Sequence, residues 1–256
     1  SDPIITDNDE WIDWRGHSNA NRPQLWVTYE VPFTAATSIT ASPSSIVCNG
    51  TTVTLTRFAG TTGTAGNWAW YQGSTFLQYN NTSITVSPST TTTYCVRGEN
   101  ACGNTACTPV TITVQQLSTA PTGVTGTTTI CNGGSTTLSV SGGSLGAGAS
   151  WNWYSGSCGG TLVGTGNSIT VSPSTTTTYF VRAIGTCNTT GCASATVTVN
   201  TLSTAPGSIA VGTTPICNGQ STTLTVNGGS LGTGAVWRWY SGSCGGTIVG
   251  TGLSIS

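Results

Sequence analysis

The groups able to do acid–base work are few and crowded at one end of the chain. His17, the single histidine, lies near Asp13, Arg15 and Arg22 in "TDNDEWIDWRGHSNANRPQLWVTYE". An imidazole, a carboxylate to orient it and cations to hold an anion are the ingredients of a proton-transfer site. Asp2, Asp7, Asp9, Glu10, Asp13 and Glu30 all precede residue 32, Glu99 is the one acid after it, and lysine is absent. From residue 122 onward there is no Asp, Glu, His or Lys. Paired carboxylates, nucleophilic triads and carboxylate-rich calcium sites cannot be assembled from that stretch. A segment of about thirty residues cannot bury a core of its own. Residues 1–31 therefore read as the polar closing loop and last strand of a β-sandwich that begins upstream. No catalytic, metal or cofactor site is assigned, and the protein reads as a non-enzyme.

The second reactive set is the cysteines: Cys48, Cys95, Cys102, Cys107, Cys131, Cys158, Cys187, Cys192, Cys217 and Cys244. An even count in a chain rich in Ser, Thr and Gly points to an oxidising, extracellular compartment. Zinc is disfavoured, because no CxxC spacing occurs and His17 is far from every cysteine.

Charge narrows the function classes further. Only 5% of residues are Asp, Glu, Lys or Arg, against roughly 25% in an average soluble domain. After residue 32 the only cations are Arg57, Arg97, Arg182 and Arg238, too scattered to neutralise a phosphate backbone, so nucleic acid is not expected as a partner. Arg97 and Arg182 occupy equivalent places and read as solvated edge charges. No run of 18 or more apolar residues occurs, and the N-terminus has neither a basic nor an apolar leader region. Direct membrane insertion is therefore not expected, and an export signal would lie outside this sequence.

These residues are placed by a repeat. "SWNWYSGSCGG" at 150–160 returns as "VWRWYSGSCGG" at 236–246, with Cys131, Trp153 and Cys158 each 86 positions before Cys217, Trp239 and Cys244. A diverged earlier copy carries "IVCNGTTVTLT", "WAWYQGS" and "SITVSPSTTTTYCVR". Three modules result: 38–117, 122–202, and 207–256, the last without counterparts of the final two strands. "LSTAP" links them, and its proline and shortness suggest a stiff joint. Within module two, "STTLSVS", "SWNWYSG", "SITVSP", "TTYFVRA" and "ASATVTVN" alternate apolar with polar residues between Gly-rich turns. About seven short strands in such a length is the rhythm of an immunoglobulin-like sandwich, with those segments as strands B, C, E, F and G. The expected fold is all-β, a tandem of immunoglobulin-like sandwiches.

Four cysteines permit three pairings, and the strand order is used to choose. It places Cys131 and Cys158 at one end of the sandwich and Cys187 and Cys192 at the other, predicting those two bonds. Module one lacks a counterpart of Cys158 but has Cys95 where module two has Phe180. The expected bonds there are Cys48–Cys95 and Cys102–Cys107, and in module three Cys217–Cys244. In "WNWY", residues i and i+2 share a face. Trp70, Trp153 and Trp239 are expected in the core, while Tyr71, Tyr154 and Tyr240 face outward, where they could offer rings to sugar.

"CNGGSTTLSV", "WNWYSGSCGG", "SITVSPSTTTTYFVRA" and "GTCNTTGCASATVTV" resemble the Ig-like repeats of long surface and secreted proteins of Bacteroidota-type bacteria. The resemblance implies an adhesin, including gliding adhesins, or an enzyme stalk, exported by type IX secretion. "WIDWRGHSNANRPQLWVTYE", through Trp14, Arg15, Pro23, Leu25, Val27 and Tyr29, resembles the end of DNRLRE-type carbohydrate-binding-like domains, which implies surface glycans as partners of an upstream domain. The expected function is a non-catalytic structural and adhesive protein, a disulfide-stapled stalk or filament on a bacterial cell surface. Its partners are neighbouring modules of the same chain. The alternatives are the spacer of a secreted carbohydrate-active enzyme or carbohydrate-binding protein, and a filament subunit whose copies assemble by donor-strand exchange.

Overall fold

In the computed structural model the described residues are 33–63 and 65–256, with the backbone of one strand pair, β1 (Glu10–Trp11) and β2 (Trp26–Val27). His17, Asp13, Arg15, Arg22 and the DNRLRE-like segment otherwise lie outside the described residues. Every regular element among the described residues is a strand. None is a helix long and apolar enough to cross a membrane. The chain divides into two units, 1–117 and 118–256.

The first unit holds one sandwich. Its strands are β3 (Ser38–Ser42), β4 (Ile46–Cys48), β5 (Val53–Phe58), β6 (Asn67–Gln72), β7 (Thr75–Tyr79), β8 (Ser83–Val86), β9 (Thr92–Asn100), β10 (Gly103–Asn104) and β11 (Thr108–Gln115). One sheet runs β3-β5-β8 and the other β4-β11-β9-β6-β7. β4 lies parallel to β11, and the remaining pairs are antiparallel.

In the second unit a complete sandwich repeats this plan. Its strands are β12 (Gly123–Thr125), β13 (Thr129–Cys131), β14 (Thr136–Ser141), β15 (Ser150–Ser155), β16 (Thr161–Thr165), β17 (Ser168–Val171), β18 (Thr177–Ile184) and β19 (Ala193–Asn200). β12-β14-β17 forms one sheet and β13-β19-β18-β15-β16 the other. A further set follows: β20 (Ser208–Val211), β21 (Leu224–Asn227), β22 (Arg238–Ser241), β23 (Thr247–Thr251) and β24 (Ser254–Ile255). These make a β20-β21-β24 sheet and a two-stranded β22-β23 sheet.

Alternation along the strands decides what each core receives. On β9, Tyr94, Val96 and Gly98 are buried while Cys95, Arg97 and Glu99 between them are not. On β15, Trp151 and Trp153 join Leu138, Val181 and Val197 in one buried cluster. Trp70, Trp153 and Trp239 are 0, 0 and 7% exposed. Each indole donates to a backbone carbonyl: Trp70 to Asn80 at 3.0 Å, Trp153 to Gly166 at 2.9 Å and Trp239 to Gly252 at 2.9 Å. The ring fills the core and its one polar atom is satisfied at the same place each time. The first tryptophan of each pair sets a second constraint. Gly143 has φ +73, and a Cβ there would meet the Ala120 carbonyl oxygen at 2.7 Å and Trp151 at 2.9 Å. Gly60 stands in the same relation to Ala35 and Trp68. Only glycine accepts both the backbone conformation and the close approach.

The "LSTAP" linkers gain order from hydrogen bonds as well as from proline. Before the complete second sandwich, Thr119 N donates to Ser144 O at 2.9 Å and Gly146 N to Ser118 Oγ at 2.9 Å. The next linker makes the same contacts, Thr204 N to Ser230 O at 2.9 Å and Gly232 N to Ser203 Oγ at 2.9 Å. The "GGSLG" loop is thus the dock for each linker.

The disulfides overturn the expected pairing. Cys95 bonds Cys107, and Cys158 bonds Cys192. The expected bonds Cys48–Cys95, Cys102–Cys107, Cys131–Cys158 and Cys187–Cys192 are therefore excluded. Cys131, Cys217 and Cys244 are exposed thiols, so the expected Cys217–Cys244 bond is not made either. Strand pleat explains the first case. Cys95 falls between inward Tyr94 and Val96 and so faces out, where Cys107 just before β11 meets it, while Cys48 lies one strand further across the same sheet, opposite Gln115 and six residues along β11 from the Pro109 that faces Cys95. Cys131 does not open strand B; it ends β13, which runs parallel to β19. Cys158 lies in the turn after β15, which folds back along the outer sheet face to Cys192, the residue before β19.

Candidate functional site

The outer face of the larger sheet carries different groups in the two complete sandwiches. In the first sandwich Tyr71 on β6 and Arg97 and Glu99 on β9 all project outward, because their strand neighbours are buried. Arg97 Nε donates to Glu99 Oε1 at 2.7 Å and its Nη2 to the Tyr71 hydroxyl at 2.8 Å. The Tyr71 hydroxyl donates in turn to Glu99 Oε1, and Tyr79 OH to Glu99 Oε2 at 3.1 Å. The guanidinium also lies 4.5 Å from the centre of the Tyr71 ring. Phe76 packs edge-on against Tyr71 at 5.7 Å and tilted against Tyr79 at 4.8 Å.

Desolvation pushes the Glu99 carboxyl upward, but hydrogen bonds from Tyr71, Arg97 and Tyr79 outweigh it and hold its pKa below the ordinary value. The same hydrogen bond to Glu99 pushes the Tyr71 hydroxyl up, and that of Tyr79 too. Glu99 is therefore an ionised acceptor surrounded by donors, and among the described residues no second carboxylate accompanies it. That arrangement suits holding a surface in shape and does not suit passing protons. What it leaves for contact is aromatic: Phe76 and Tyr79 are 45 and 56% exposed.

The second sandwich keeps the arginine and tyrosine and changes the rest. Arg182 lies 5.2 Å from the centre of the Tyr154 ring, and the turn carrying Cys158 closes over it, so that a Cβ on Gly159 would meet the guanidinium at 2.9 Å. Tyr154 is buried as a result. Neither Arg97 nor Arg182 is a freely solvated edge charge, and Tyr71, Tyr154 and Tyr240 do not form an exposed ladder. Glu99, Phe76 and Tyr79 give way to Ile184, Leu162 and Thr165 at the matching register. Sequence reading passed over Phe76 and Tyr79. The available signal was Glu99, the only acid after residue 32, placed two residues from Arg97 on one strand. Among the described residues no group of three or more His, Cys, Asp or Glu could hold a metal.

Two sheets, a parallel pairing of the second strand with the last and a tryptophan-centred core define tandem immunoglobulin-like β-sandwiches. Residues 119–201 match a family described as "Ig-like domain CHU_C associated". Among solved structures the chain is similar to a three-Ig structure of titin domains I67–I69, with 13% identity over 83% of this chain and 80% of that one and a TM-score of 0.53. It also aligns with murine CEACAM1b at 16% identity over 64% of this chain and 99% of that one, with a TM-score of 0.37 that carries no argument. The comparison with curated proteins finds no match. The titin likeness supports the fold; residues 119–201 carry the family's sequence pattern as well.

Proposed function

We propose that this is a non-catalytic extracellular protein with a structural and adhesive role, a length of disulfide-stapled Ig-like repeat stalk on a bacterial surface. The observation that carries the reading is one sandwich plan written repeatedly, with a disulfide on the outer face of each complete copy. Such an array grows by adding copies, because each copy carries its own core and linker dock. Disulfides that survive there fit an oxidising compartment. The Bacteroidota-type resemblance supports export through type IX secretion and a part in adhesion or gliding. The DNRLRE-like segment supports surface glycans as the target of an upstream domain.

Single-molecule extension of the full chain tests the stalk. Under oxidising conditions the bond between Cys158 and Cys192, 34 residues apart, withholds that length from extension. Reduction should add about 12 nm to the corresponding unfolding step. Unfolding without discrete steps in either condition would remove the stalk reading. A glycan array separates the binding-module alternative: specific capture lost in Phe76→Ala and Tyr79→Ala would move the adhesive surface onto the first sandwich.

A further inference from the structure

The outer sheet face of the first sandwich carries a combination that the second lacks. Tyr79 and Phe76, 56 and 45% exposed, lie with ring centres 4.8 Å apart and planes tilted by 55°. Two rings so tilted cannot both lie flat against one ligand ring; one stacks while the other flanks it. Neither ring is loose. Phe76 is backed edge-on by Tyr71, which the Arg97 guanidinium covers, and the Tyr79 hydroxyl is tethered to Glu99. Ala69 lets these groups converge. It stands opposite both Tyr79 and Arg97 in register and is 0% exposed, so a small side chain forms the floor over which they meet. The second sandwich has Asn152 at that place, Leu162 and Thr165 for the two rings and Ile184 for Glu99.

Apolar exposure by itself does not make the case. Leu162 and Ile248, at the place of Phe76, are 53 and 54% exposed and have no ring to stack. What the first sandwich adds is ring faces together with a hydrogen-bonding rim. Glu99 Oε1 accepts from Arg97 and Tyr71, whereas Oε2 accepts only from Tyr79 among the described residues, which leaves a lone pair on that oxygen for a ligand. Asn67 and Asn104, both exposed, stand opposite Glu99 in register on the strands to either side, and each amide offers donors and an acceptor. Arg97 and Glu99 neutralise one another, so the face has no net charge to draw an ionic partner. These features match a sugar. In a gluco-configured pyranose the hydroxyls are equatorial, so the flat faces present C–H and the rim presents groups that both donate and accept. A proline-rich peptide instead seats its rings in slots between aromatics, and two rings in contact at 4.8 Å leave no slot.

We propose that this face of the first sandwich is a carbohydrate-binding site for a neutral chain of β-linked, gluco-configured pyranose units. Tyr79 is the stacking ring and Phe76 its flank, and Glu99, Asn67 and Asn104 are the partners of the sugar's equatorial hydroxyls. The rings and the ion pair are held on a sheet before the ligand arrives, so little side-chain freedom is lost on binding. The assignment goes beyond the stalk reading, since it places a ligand site on a repeat of the array itself and holds or fails whatever the array's mechanical role.

Isothermal titration of the polypeptide of residues 1–256 with cellohexaose tests it, beside hexagalacturonate as an anionic chain and a polyproline peptide as the competing ligand class. Saturable binding of cellohexaose alone is expected. Phe76→Leu with Tyr79→Thr installs the residues that the second sandwich carries at the same places, so the fold is kept. Affinity should then fall about tenfold or more with loss of the stacking contact. Tyr79→Phe keeps the ring and gives up only the tether to Glu99, and should weaken binding by about threefold or less. Leu162→Ala on the second sandwich should leave binding unchanged. No saturable binding of cellohexaose, binding that survives the Phe76→Leu and Tyr79→Thr pair, or equal binding of hexagalacturonate would overturn the proposal. Polyproline binding that is lost in the same double variant would also overturn it, by making the occupant a peptide. Discrete extension steps under force without cellohexaose binding would leave the stalk standing and remove the sugar site; cellohexaose binding without discrete steps would do the reverse.

Discussion

At the scale of single residues, Glu99 and Arg97 shield one another on the outer sheet face. Glu99 accepts from Arg97, Tyr71 and Tyr79, and its pKa is lowered in the fold, so the folded state binds fewer protons than the unfolded chain in the acid range. That stability is fully present above the unfolded carboxylate value of about 4.3 and is lost as pH falls through the lower, folded one. Glu99→Gln should flatten this part of the acid limb, which urea midpoints from pH 3 to 6 would show against the parent. The ion pair's side chains are 33 and 17% exposed, so solvent screening holds the effect near 1 kcal/mol or below. An unchanged acid limb would mean the cluster forms without contributing. Glu99 was visible in the sequence as an isolated acid. Its partners were not, because Tyr79 reaches it from a neighbouring strand whose register only the fold supplies.

At the scale of elements, period-two alternation located the B, C, E, F and G strands and explains why the cysteines went elsewhere. Reading Cys95 as a replacement for Cys158 was sound, since each module has one of them. What the two share is a partner before the last strand, Cys107 or Cys192, and not the cysteine near strand B. The alternation "TTYCVRGEN" already places Cys95 opposite in facing to Tyr94 and Val96, so an outward bond was legible there. The fold-back of the Cys158 turn was not, because turn direction depends on glycines whose conformations alternation does not report. The two bonds span 12 and 34 residues, which on the chain-entropy account are worth about 3 and about 4 kcal/mol. Cys158→Ser with Cys192→Ser should lower the unfolding midpoint of the second sandwich by that larger amount while the first keeps its own. Denaturant unfolding followed by limited proteolysis separates the two. A loss shared equally by both sandwiches would contradict the assignment of each bond to its own module.

At the scale of the whole molecule, the strand sets within residues 33–256 differ in how much apolar surface they bury, and local stability should follow. The first two sandwiches each bury a continuous apolar cluster between two sheets. After Val197 the only buried apolar residue among those described is Trp239. Its indole donates to Gly252 O, so the hairpin geometry is set within β22, β23 and the turn that follows. Leu224 is partly exposed where Leu138 is fully buried. Backbone amides whose opening exposes little new apolar surface open at small free-energy cost. Hydrogen exchange on the polypeptide of residues 1–256 should therefore show β21, β22 and β24 exchanging faster than β14, β15 and β18. β14, β15 and β18 should be protected toward the global limit, though the residues at matching positions are nearly the same. Protection of β22 equal to that of β15 in the chain alone would mean that the Trp239 hairpin is sufficient by itself, and that sheet closure contributes less to these modules than the tryptophan and its carbonyl partner.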